Sequence, residues 1–366
     1  MSSSPTESTS SKPAFLANVV SPDTSVSVRF NSEEEAPRFA VGYWSIRGLG
    51  APLRMMLSAA KINHDVYLYD IVEDGDNGWN SSYFQTKESL KTESKNALVN
   101  LPFVVDRKEC RLLCQTNACF AHIGRCIGMF GTNDVEASIC EQLLCEIYDL
   151  RYPYIIFCYR SDGSVEEAKK AFAQAEPHLQ KLNSHLANEA NNGGDDDKKV
   201  HHLVGGVLNA PDFHLFELLD QFQFIAQTYG ISDDFLGQYP RLKEFKTGFE
   251  ELEENQFYLK SWLHEGLPFN NCMSKAGSAL NVGVFQRGQK AEWRGKGEIT
   301  MNPNSSKKPK KLTHVQKIIV DYTYENRRVL NKHVSILFFV HTQYVGIYAC
   351  NLQKEEKEVF KYILSY

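Results

Sequence analysis

The chain of 366 residues is long enough for two packed domains, and its 42% hydrophobic content is enough to build their cores. Its 40 basic and 45 acidic residues are interspersed and leave a formal net charge of -5, which gives no field that would favour nucleic acid or an anionic membrane. No apolar run approaches the roughly 20 residues that span a bilayer, so we expect a soluble protein with a small-molecule or protein partner.

Nine cysteines are scattered through the chain, mostly within apolar stretches, and no two have the two-residue spacing of thiolate metal sites and redox motifs. We interpret them as buried thiols in a reducing compartment and expect no metal. The Ser-rich N-terminus lacks the Arg enrichment of a transit peptide, which favours the cytoplasm.

Residues 1–37 are rich in Ser, Thr and Pro without apolar periodicity, which predicts a disordered leader. Folding is expected to begin near Phe39, where a short apolar strand ends in a glycine-punctuated loop. A helix follows, with Pro52 in its first turn. A second strand, from Asp65 to Asp70, completes a βαβ unit, which requires a parallel strand pair.

The next segment, from Glu73 to Lys95, is polar and only weakly periodic, so it is predicted to be a loop with a short helix. A hairpin signal follows at 103–106 and 110–113. A third helix is then predicted to place three side chains on the core: Cys119, Ile123 and Cys126.

After Gly131 the strand signals stop and the periodicity becomes helical as far as about Lys260, interrupted by a polar run at 188–199 that predicts a surface loop. A small α/β domain followed by an all-helical domain is therefore predicted from periodicity. The predicted divisions of the chain are a leader at 1–37, an α/β domain at 38–131, a helical domain at 132–275 and a C-terminal extension of unknown structure at 276–366.

The extension contains a basic run at 307–311 and strand-like segments at 335–340 and 344–348. A small added domain and sequence without selected structure are both open interpretations. The basic run has the composition of a nuclear-import or nucleic-acid patch and equally of a basic linker. We assign the extension no function.

The segment Val41-Gly-Tyr-Trp-Ser-Ile-Arg-Gly-Leu49 resembles the opening strand and loop of mu-class glutathione transferases. Asn100-Leu-Pro102, followed by Gln115-Thr116, resembles their glutathione-binding signature, and Asn209-Ala-Pro-Asp212 resembles the capping motif of their buried central helix. The resemblance extends over about residues 38–270. It implies a thioredoxin-like N-terminal domain packed on a helical bundle, usually as a homodimer, that conjugates glutathione to electrophilic carbon.

By this resemblance, Tyr43 donates a hydrogen bond to the sulfur of glutathione and holds it as a thiolate while remaining protonated itself. The alternative is a buried tyrosine whose hydroxyl is satisfied by the backbone. Tyr159 falls where mu-class enzymes have a second tyrosine that faces the electrophile as a general acid. Simple helix packing is the alternative at that position.

The glutathione-binding candidates also follow from the resemblance. In the family Pro102 is cis, and the backbone of Leu101 pairs with the cysteinyl part of glutathione. Thr116 can cap the third helix while Gln115 turns toward the γ-glutamyl group. Asp149 matches a position that reaches the neighbouring site across the dimer, or it is a solvated helix charge. Further contacts are expected from Trp44, Leu49, Trp79 and Asn100.

The chain departs from the family where basic residues clamp the glycyl carboxylate of glutathione, because Asp76 and Tyr83 stand at those positions. Leu98 likewise replaces an aromatic residue that keys the dimer interface. The candidate replacements for the clamp are lysines of a longer loop: Lys87, Lys91 and Lys95.

Two functions therefore remain open. The first is an enzyme that conjugates glutathione to hydrophobic electrophiles in detoxification, with isomerase or peroxidase chemistry possible on the same activated thiolate. The second is a non-catalytic ligand carrier or structural protein on the same fold. The intact motifs around Tyr43 favour the enzyme, and the missing clamp favours the carrier.

Overall fold

The computed structural model describes residues 15–30, 36–73, 79–192, 202–277, 298–301, 336–341 and 344–349. Only the backbone is described at 72–73, 79, 190–192 and from 298 onward. The chain divides into two compact units, Met1–Pro309 and Lys310–Tyr366. The candidate functional residues all belong to the first.

A mixed sheet forms the α/β part of the first unit. Strand β2 (Phe39–Trp44) pairs in parallel with β3 (His64–Tyr69), and helix α1 (Gly50–Ala59) connects them, so the predicted βαβ unit is confirmed. On the other side of β2 lie the antiparallel strands β6 (Phe103–Asp106) and β7 (Arg111–Cys114), which confirm the predicted hairpin.

The expectation of a disordered leader is wrong for residues 15–30. Thr24–Arg29 forms strand β1, which pairs antiparallel with β3, and Glu298–Met301 forms β8 on its outer edge. Val26 and Val28 are fully buried by this pairing, and Leu16 joins a second apolar cluster beside the sheet. The alternation of Val26 and Val28 with polar residues is a strand signal, but a Ser-rich surrounding sequence masks it. Residues 1–14 and 31–35 lie outside the described part.

Eight further helices among the described residues complete the unit, together with the two-residue strands β4 (Val72–Glu73) and β5 (Trp79–Asn80). The segment predicted to be a loop with a short helix contains α2, which is 13 residues long. The helical periodicity that runs to about Lys260 is interrupted in the structure at Leu252, whose backbone is extended. The helices are α2 (Ser82–Ser94), α3 (Thr116–Ile127), α4 (Asp134–Arg160), α5 (Val165–Asn192), α6 (Ala210–Thr228), α7 (Pro240–Glu251), α8 (Glu253–Leu259) and α9 (Trp262–Glu265).

Helix α1 joins the α/β part to the helical part, because all ten of its residues are buried and it packs against α6 and α8. Helix α6 is the buried centre of the bundle, and the predicted capping box at its start is present. The Asp212 carboxylate accepts the N–H of Asn209 at 2.7 Å and that of Leu203 at 2.7 Å. These bonds fix the segment before α6 to the first turn of that helix.

In the second unit the two strand-like segments form β9 (Ile336–His341) and β10 (Tyr344–Ala349), which pair antiparallel. The polar run predicted to be a surface loop at 188–199 is wrong for residues 188–192, which form the last turn of α5. Its remainder lies outside the described residues, as do the basic run at 307–311 and Asp76. No helix within the described residues is long and apolar enough to cross a bilayer.

The expectation that the cysteines are buried is only half right for the eight that are described. All eight are free thiols; Cys114, Cys119, Cys140 and Cys158 are buried, and Cys110, Cys126, Cys145 and Cys272 are exposed. Cys126 in particular does not lie on the core face of α3, where its spacing had placed it.

Candidate functional site

Tyr43 lies near the carboxyl end of β2, and its side chain is 6% exposed. The loop that follows is folded so tightly around it that two positions accept only glycine. A Cβ atom at Gly48, where φ is +39°, would lie 3.0 Å from the Tyr43 hydroxyl oxygen, and one at Gly50 would lie 2.7 Å from its ring. The sequence Arg47-Gly-Leu-Gly50 is therefore what allows the backbone to close over this phenol.

Burial raises the pKa of Tyr43, while the charge of Arg151, a hydrogen bond from the backbone of Leu49 and the charge of Arg54 partly oppose that rise. The net pKa lies above the ordinary value for tyrosine. The phenol therefore keeps its proton at neutral pH and has a hydrogen bond to donate.

Arg47 attaches this loop to the helical domain. Its Nη2 lies 2.9 Å from a Glu217 carboxylate oxygen and 2.6 Å from one of Asp220, and its guanidinium lies 4.3 Å from the ring centroid of Phe269. Its backbone N–H donates to the carbonyl oxygen of Pro268 at 2.6 Å. Paired and nearly buried charges of this kind hold a loop in one conformation, because breaking the pair would leave a charge without a partner.

Trp44, the residue after Tyr43, packs against side chains of α2. Its ring packs edge-on against Tyr83 at 5.6 Å and against Phe84 at 5.9 Å. Lys87, one turn further along α2, has its Nζ 5.8 Å from the centroid of the Tyr83 ring, whereas Lys91 is paired with a glutamate of its own helix. Lys87 therefore lies on the Tyr83 ring, which in turn packs against Trp44, a predicted glutathione contact.

The segment Asn100-Leu-Pro102 enters the sheet beside β2, since Phe103 pairs with Gly42. The Leu101–Pro102 peptide bond is cis, as the resemblance implied. The backbone N–H of Asn100 donates to the sulfur of Cys114 at 3.3 Å, which links this segment to the end of β7. Asn100, Leu101, Pro102, Gln115 and Tyr43 are thus brought to the same end of the sheet.

The start of α3 differs from the expectation that Thr116 caps it. Gln115 is the N-cap residue, with φ at +69°, and makes no side-chain capping bond, while Thr116 is the first helical residue and is buried. The first backbone N–H bonded within the helix is that of Cys119, which donates to the carbonyl oxygen of Gln115 at 2.9 Å. Uncapped amides at a helix N-terminus favour an anionic ligand.

Tyr159 approaches the site from α4, and its pKa is raised, chiefly by burial and then by the proximity of Tyr43. Its hydroxyl is held by the segment after α9. It lies 3.3 Å from Oδ1 of Asn270 and accepts the N–H of Asn271 at 3.3 Å. The two predicted catalytic tyrosines are therefore neighbours, but the second already has hydrogen-bond partners.

Two predicted contacts are not placed at this end of the sheet. Asp149 is exposed on α4 between Tyr148 and Tyr152, which are 50% and 63% exposed. The side chain of Trp79 lies outside the described residues.

One group of described side chains has the ligand types and spacing of a metal site. Ligand atoms of Asp106, His122 and Cys126 lie within 4.8 Å of one another. However, the guanidinium of Arg38 binds the Asp106 carboxylate through Nε and Nη2, at 3.0 Å and 2.8 Å. A fixed positive charge in the group repels a cation, so these residues fit a metal poorly.

Comparison with known proteins gives the same picture. A profile of the glutathione S-transferase C-terminal domain matches residues 148–262. The class-mu 26 kDa isozyme 51 of Fasciola hepatica is 28% identical over 65% of this chain and 95% of its own length. Human glutathione S-transferase Mu 3 is 27% identical over 65% and 95%. These matches support a mu-class-like glutathione transferase.

A solved structure supports the glutathione transferase fold. The Pi-class enzyme of Onchocerca volvulus aligns with a TM-score of 0.50 over 65% of this chain and 99% of its own, at 21% identity.

Several residues that shape this transferase-like site carried no local sequence signal. Asn270 acts through long-range hydrogen bonds and Arg151 through its charge near Tyr43, and neither residue occurs in a motif that points to it.

Proposed function

We propose that this chain conjugates the thiolate of reduced glutathione to hydrophobic electrophiles. The observation that carries the proposal is the buried, protonated phenol of Tyr43, held by a glycine loop at the end of the sheet beside Asn100-Leu-Pro102. The family of the matching proteins supports the same reaction.

A free thiol has a pKa near 8.5, so glutathione is mostly protonated at neutral pH. Donation of a hydrogen bond from the Tyr43 hydroxyl to the sulfur stabilises the thiolate, and each unit by which the thiol pKa falls corresponds to about 1.4 kcal/mol. The thiolate then attacks the electrophilic carbon, forms a carbon–sulfur bond and expels the leaving group or opens a strained ring. Tyr43 keeps its proton throughout.

The glutathione contacts belong to the same proposal. The Leu101 backbone pairs with the cysteinyl part as an added strand would, and the uncapped start of α3 at Gln115 and Thr116 receives the γ-glutamyl carboxylate. Lys87 takes the place of the missing glycyl clamp, supported by its position beside Tyr83. The remaining proposed contacts are Trp44, Leu49, Trp79, Asn100 and Pro102.

We further propose a cytoplasmic homodimer in which Asp149 reaches the neighbouring subunit's site. The exposed side chains of Leu98, Tyr148 and Tyr152 support this assembly, because large apolar groups that are 50% to 69% exposed favour an interface. Tyr159 serves as the general acid for acceptors that need protonation.

A non-catalytic ligand carrier is the second candidate. It is favoured because Asn270 and Asn271, in the segment after α9, already form hydrogen bonds with the Tyr159 hydroxyl. Conjugation to chlorodinitrobenzene in the wild-type chain and the Tyr43→Phe variant separates the two. We expect the variant to lose about 10- to 100-fold in rate at pH 6.5, equivalent to 1–2 units of thiol pKa, while still retaining glutathione.

Tyr69→Phe is the matched control, because Tyr69 is buried in the neighbouring strand and its hydroxyl has no partner within the described residues. That variant should keep full activity. Equal rates in wild type and Tyr43→Phe would remove Tyr43 from the mechanism. A folded wild-type chain that neither binds nor conjugates glutathione would favour the carrier.

A further inference from the structure

A cluster of polar side chains lies at the end of the sheet remote from Tyr43. Asp106 pairs with Phe39 at the start of β2, whereas Tyr43 lies near the end of the same strand. Four residue positions of an extended strand separate the two, or about 13 Å. The cluster is therefore distinct from the glutathione site. It consists of Arg38, Asp106, His122 and Cys126.

Asp106 organises the cluster. Its side chain is fully buried and accepts hydrogen bonds from Arg38 and from His122, whose Nε2 lies 2.9 Å from Oδ2. Burial raises the pKa of Asp106, but the bonds from Arg38 and His122 outweigh that effect, so its pKa lies below the usual range. The carboxylate is ionised at neutral pH and holds the guanidinium in one orientation through two bonds.

The held guanidinium points at an exposed thiol. Nη2 of Arg38 lies 3.2 Å from the sulfur of Cys126, and Nε2 of His122 lies 4.0 Å from it. The nearest acidic group besides Asp106 is Glu109, which is 4.0 Å from the same Nη2 and half exposed. Because Arg38 is already fixed by Asp106, its contact with sulfur costs little further side-chain entropy.

The other exposed cysteines have different surroundings. The thiols of Cys110 and Cys272 donate to the carbonyl oxygens of Arg107 and Ile71, at 3.6 Å and 3.3 Å. Within the described part of the chain, the contact given to Cys145 is a long one, 3.9 Å, from the Asn117 amide. Of the four exposed thiols that the structure describes, Cys126 is the one with a guanidinium in hydrogen-bond contact with its sulfur, and such a donor stabilises a sulfur that carries negative charge during attack.

We propose that Cys126 is a modification site that takes up glutathione from glutathione disulfide. The Cys126 thiolate attacks one sulfur of the disulfide and forms a new sulfur–sulfur bond to a glutathionyl group. The original sulfur–sulfur bond breaks, and the second glutathione leaves as a thiolate that takes up a proton from water. No other oxidant is needed, because the disulfide itself is reduced. Arg38 acts as a positioning residue that stabilises the attacking anion.

The test is the rate at which each exposed cysteine of the full-length protein acquires glutathione from glutathione disulfide, followed by peptide mass spectrometry. We expect Cys126 to react about tenfold faster than Cys110 and Cys145, a ratio that corresponds to about 1.4 kcal/mol. Arg38→Gln should bring its rate down to theirs. Arg38→Lys keeps the positive charge but lacks the planar guanidinium donors, so the rate at Cys126 in this variant should lie between those of wild type and Arg38→Gln.

Thermal melts identify which variants remain folded, and Cys126→Ser should leave conjugation unchanged if the chain is active. Alkylation by iodoacetamide at pH 6 provides a readout that is independent of glutathione and of the proposed transferase function. Equal rates at Cys126 and Cys110, or an unchanged rate in folded Arg38→Gln, would overturn the proposal. Protection of Cys126 by micromolar zinc ion alone would also overturn it, in favour of a cation site.

Discussion

The hydroxyl of Tyr159 and the side-chain oxygen of Asn270 lie 3.3 Å apart, and this contact fastens the segment after α9 to helix α4. Asn270 is 1% exposed, and its amide nitrogen donates to the Tyr154 hydroxyl at 2.7 Å and to the Ala276 carbonyl at 2.9 Å. One side chain thus binds two tyrosine hydroxyls of the same helix. Of these two tyrosines, Tyr159 is the one whose pKa is raised further by the proximity of Tyr43.

Removal of these two hydroxyls should have different effects on the proposed chemistry. Tyr159→Phe is expected to slow addition to an enone or epoxide by about 100-fold, because such acceptors need a proton, and to change the rate with chlorodinitrobenzene little. Tyr154→Phe is the matched control and should spare both reactions while lowering stability by about 1 kcal/mol. Parallel losses with both acceptors in Tyr159→Phe would mean that Tyr159 only packs the site.

The glycine at position 48 should matter for activity beyond its effect on the backbone. Gly48→Ala introduces a Cβ atom 3.0 Å from the Tyr43 hydroxyl at a φ of +39°, so the phenol must move. We expect a loss of at least tenfold in conjugation rate and a cost of about 1 kcal/mol in the free energy of unfolding.

Gly206→Ala is the control for Gly48→Ala, because φ there is +69° and nothing lies within 4 Å of the added Cβ atom. It should carry a similar cost in unfolding free energy and leave activity intact. Full activity in Gly48→Ala would show that the position of the phenol is not critical. Steady-state rates and urea unfolding of both variants make the comparison.

The parts of the fold that could be predicted from sequence are those with a local signal. The β2 strand, the glycine loop and the capping box each depend on residues close together in the chain. The β1 strand escaped prediction because Val26 and Val28 are only two apolar positions in a Ser-rich segment, and their burial depends on β3, some 40 residues away. Asn270 escaped for the same reason, since its partners lie more than 100 residues earlier.

The buried cap of α6 should be worth more than an exposed cap of similar chemistry. Asn209 is 1% exposed; its Oδ1 accepts the N–H of Gly131 at 2.8 Å, and its Nδ2 donates to the carbonyls of Val204 and Val207. Asn209→Ala leaves these groups unpaired without water to replace them, so we expect a loss of about 3 kcal/mol or more in unfolding free energy.

Asn133 caps α4 from an exposed position, where its side chain accepts the N–H groups of Val135 and Glu136, each at 3.0 Å. Water can replace those bonds in Asn133→Ala, which should cost about 1 kcal/mol. Urea unfolding of the two alanine variants gives the comparison. Equal costs would show that burial adds nothing to this cap.

Acid should destabilise the protein in part through His214, which is 1% exposed in α6 and stacks on Phe120 at 5.1 Å. Burial, aided by the charge of Arg151, lowers its pKa to about 3, and neither ring nitrogen has a partner within the described residues. The unfolded chain binds a proton at this group near pH 6.5, and the folded chain does not until about pH 3. Stability is therefore lost as the pH falls through that window.

His214→Phe removes this titration and keeps an aromatic ring against Phe120. When the pH is lowered from 7.5 to 5, wild type should lose about 2 kcal/mol of unfolding free energy that the variant keeps. Any cost of the larger ring is the same at both pH values and cancels. Burial raises the pKa of Asp212 to about 7, so its contribution to stability changes with pH in the opposite direction. Because both proteins contain Asp212, this contribution cancels in the comparison. Urea unfolding at the two pH values measures the difference, and parallel stability curves would show that His214 is not the acid-sensitive group.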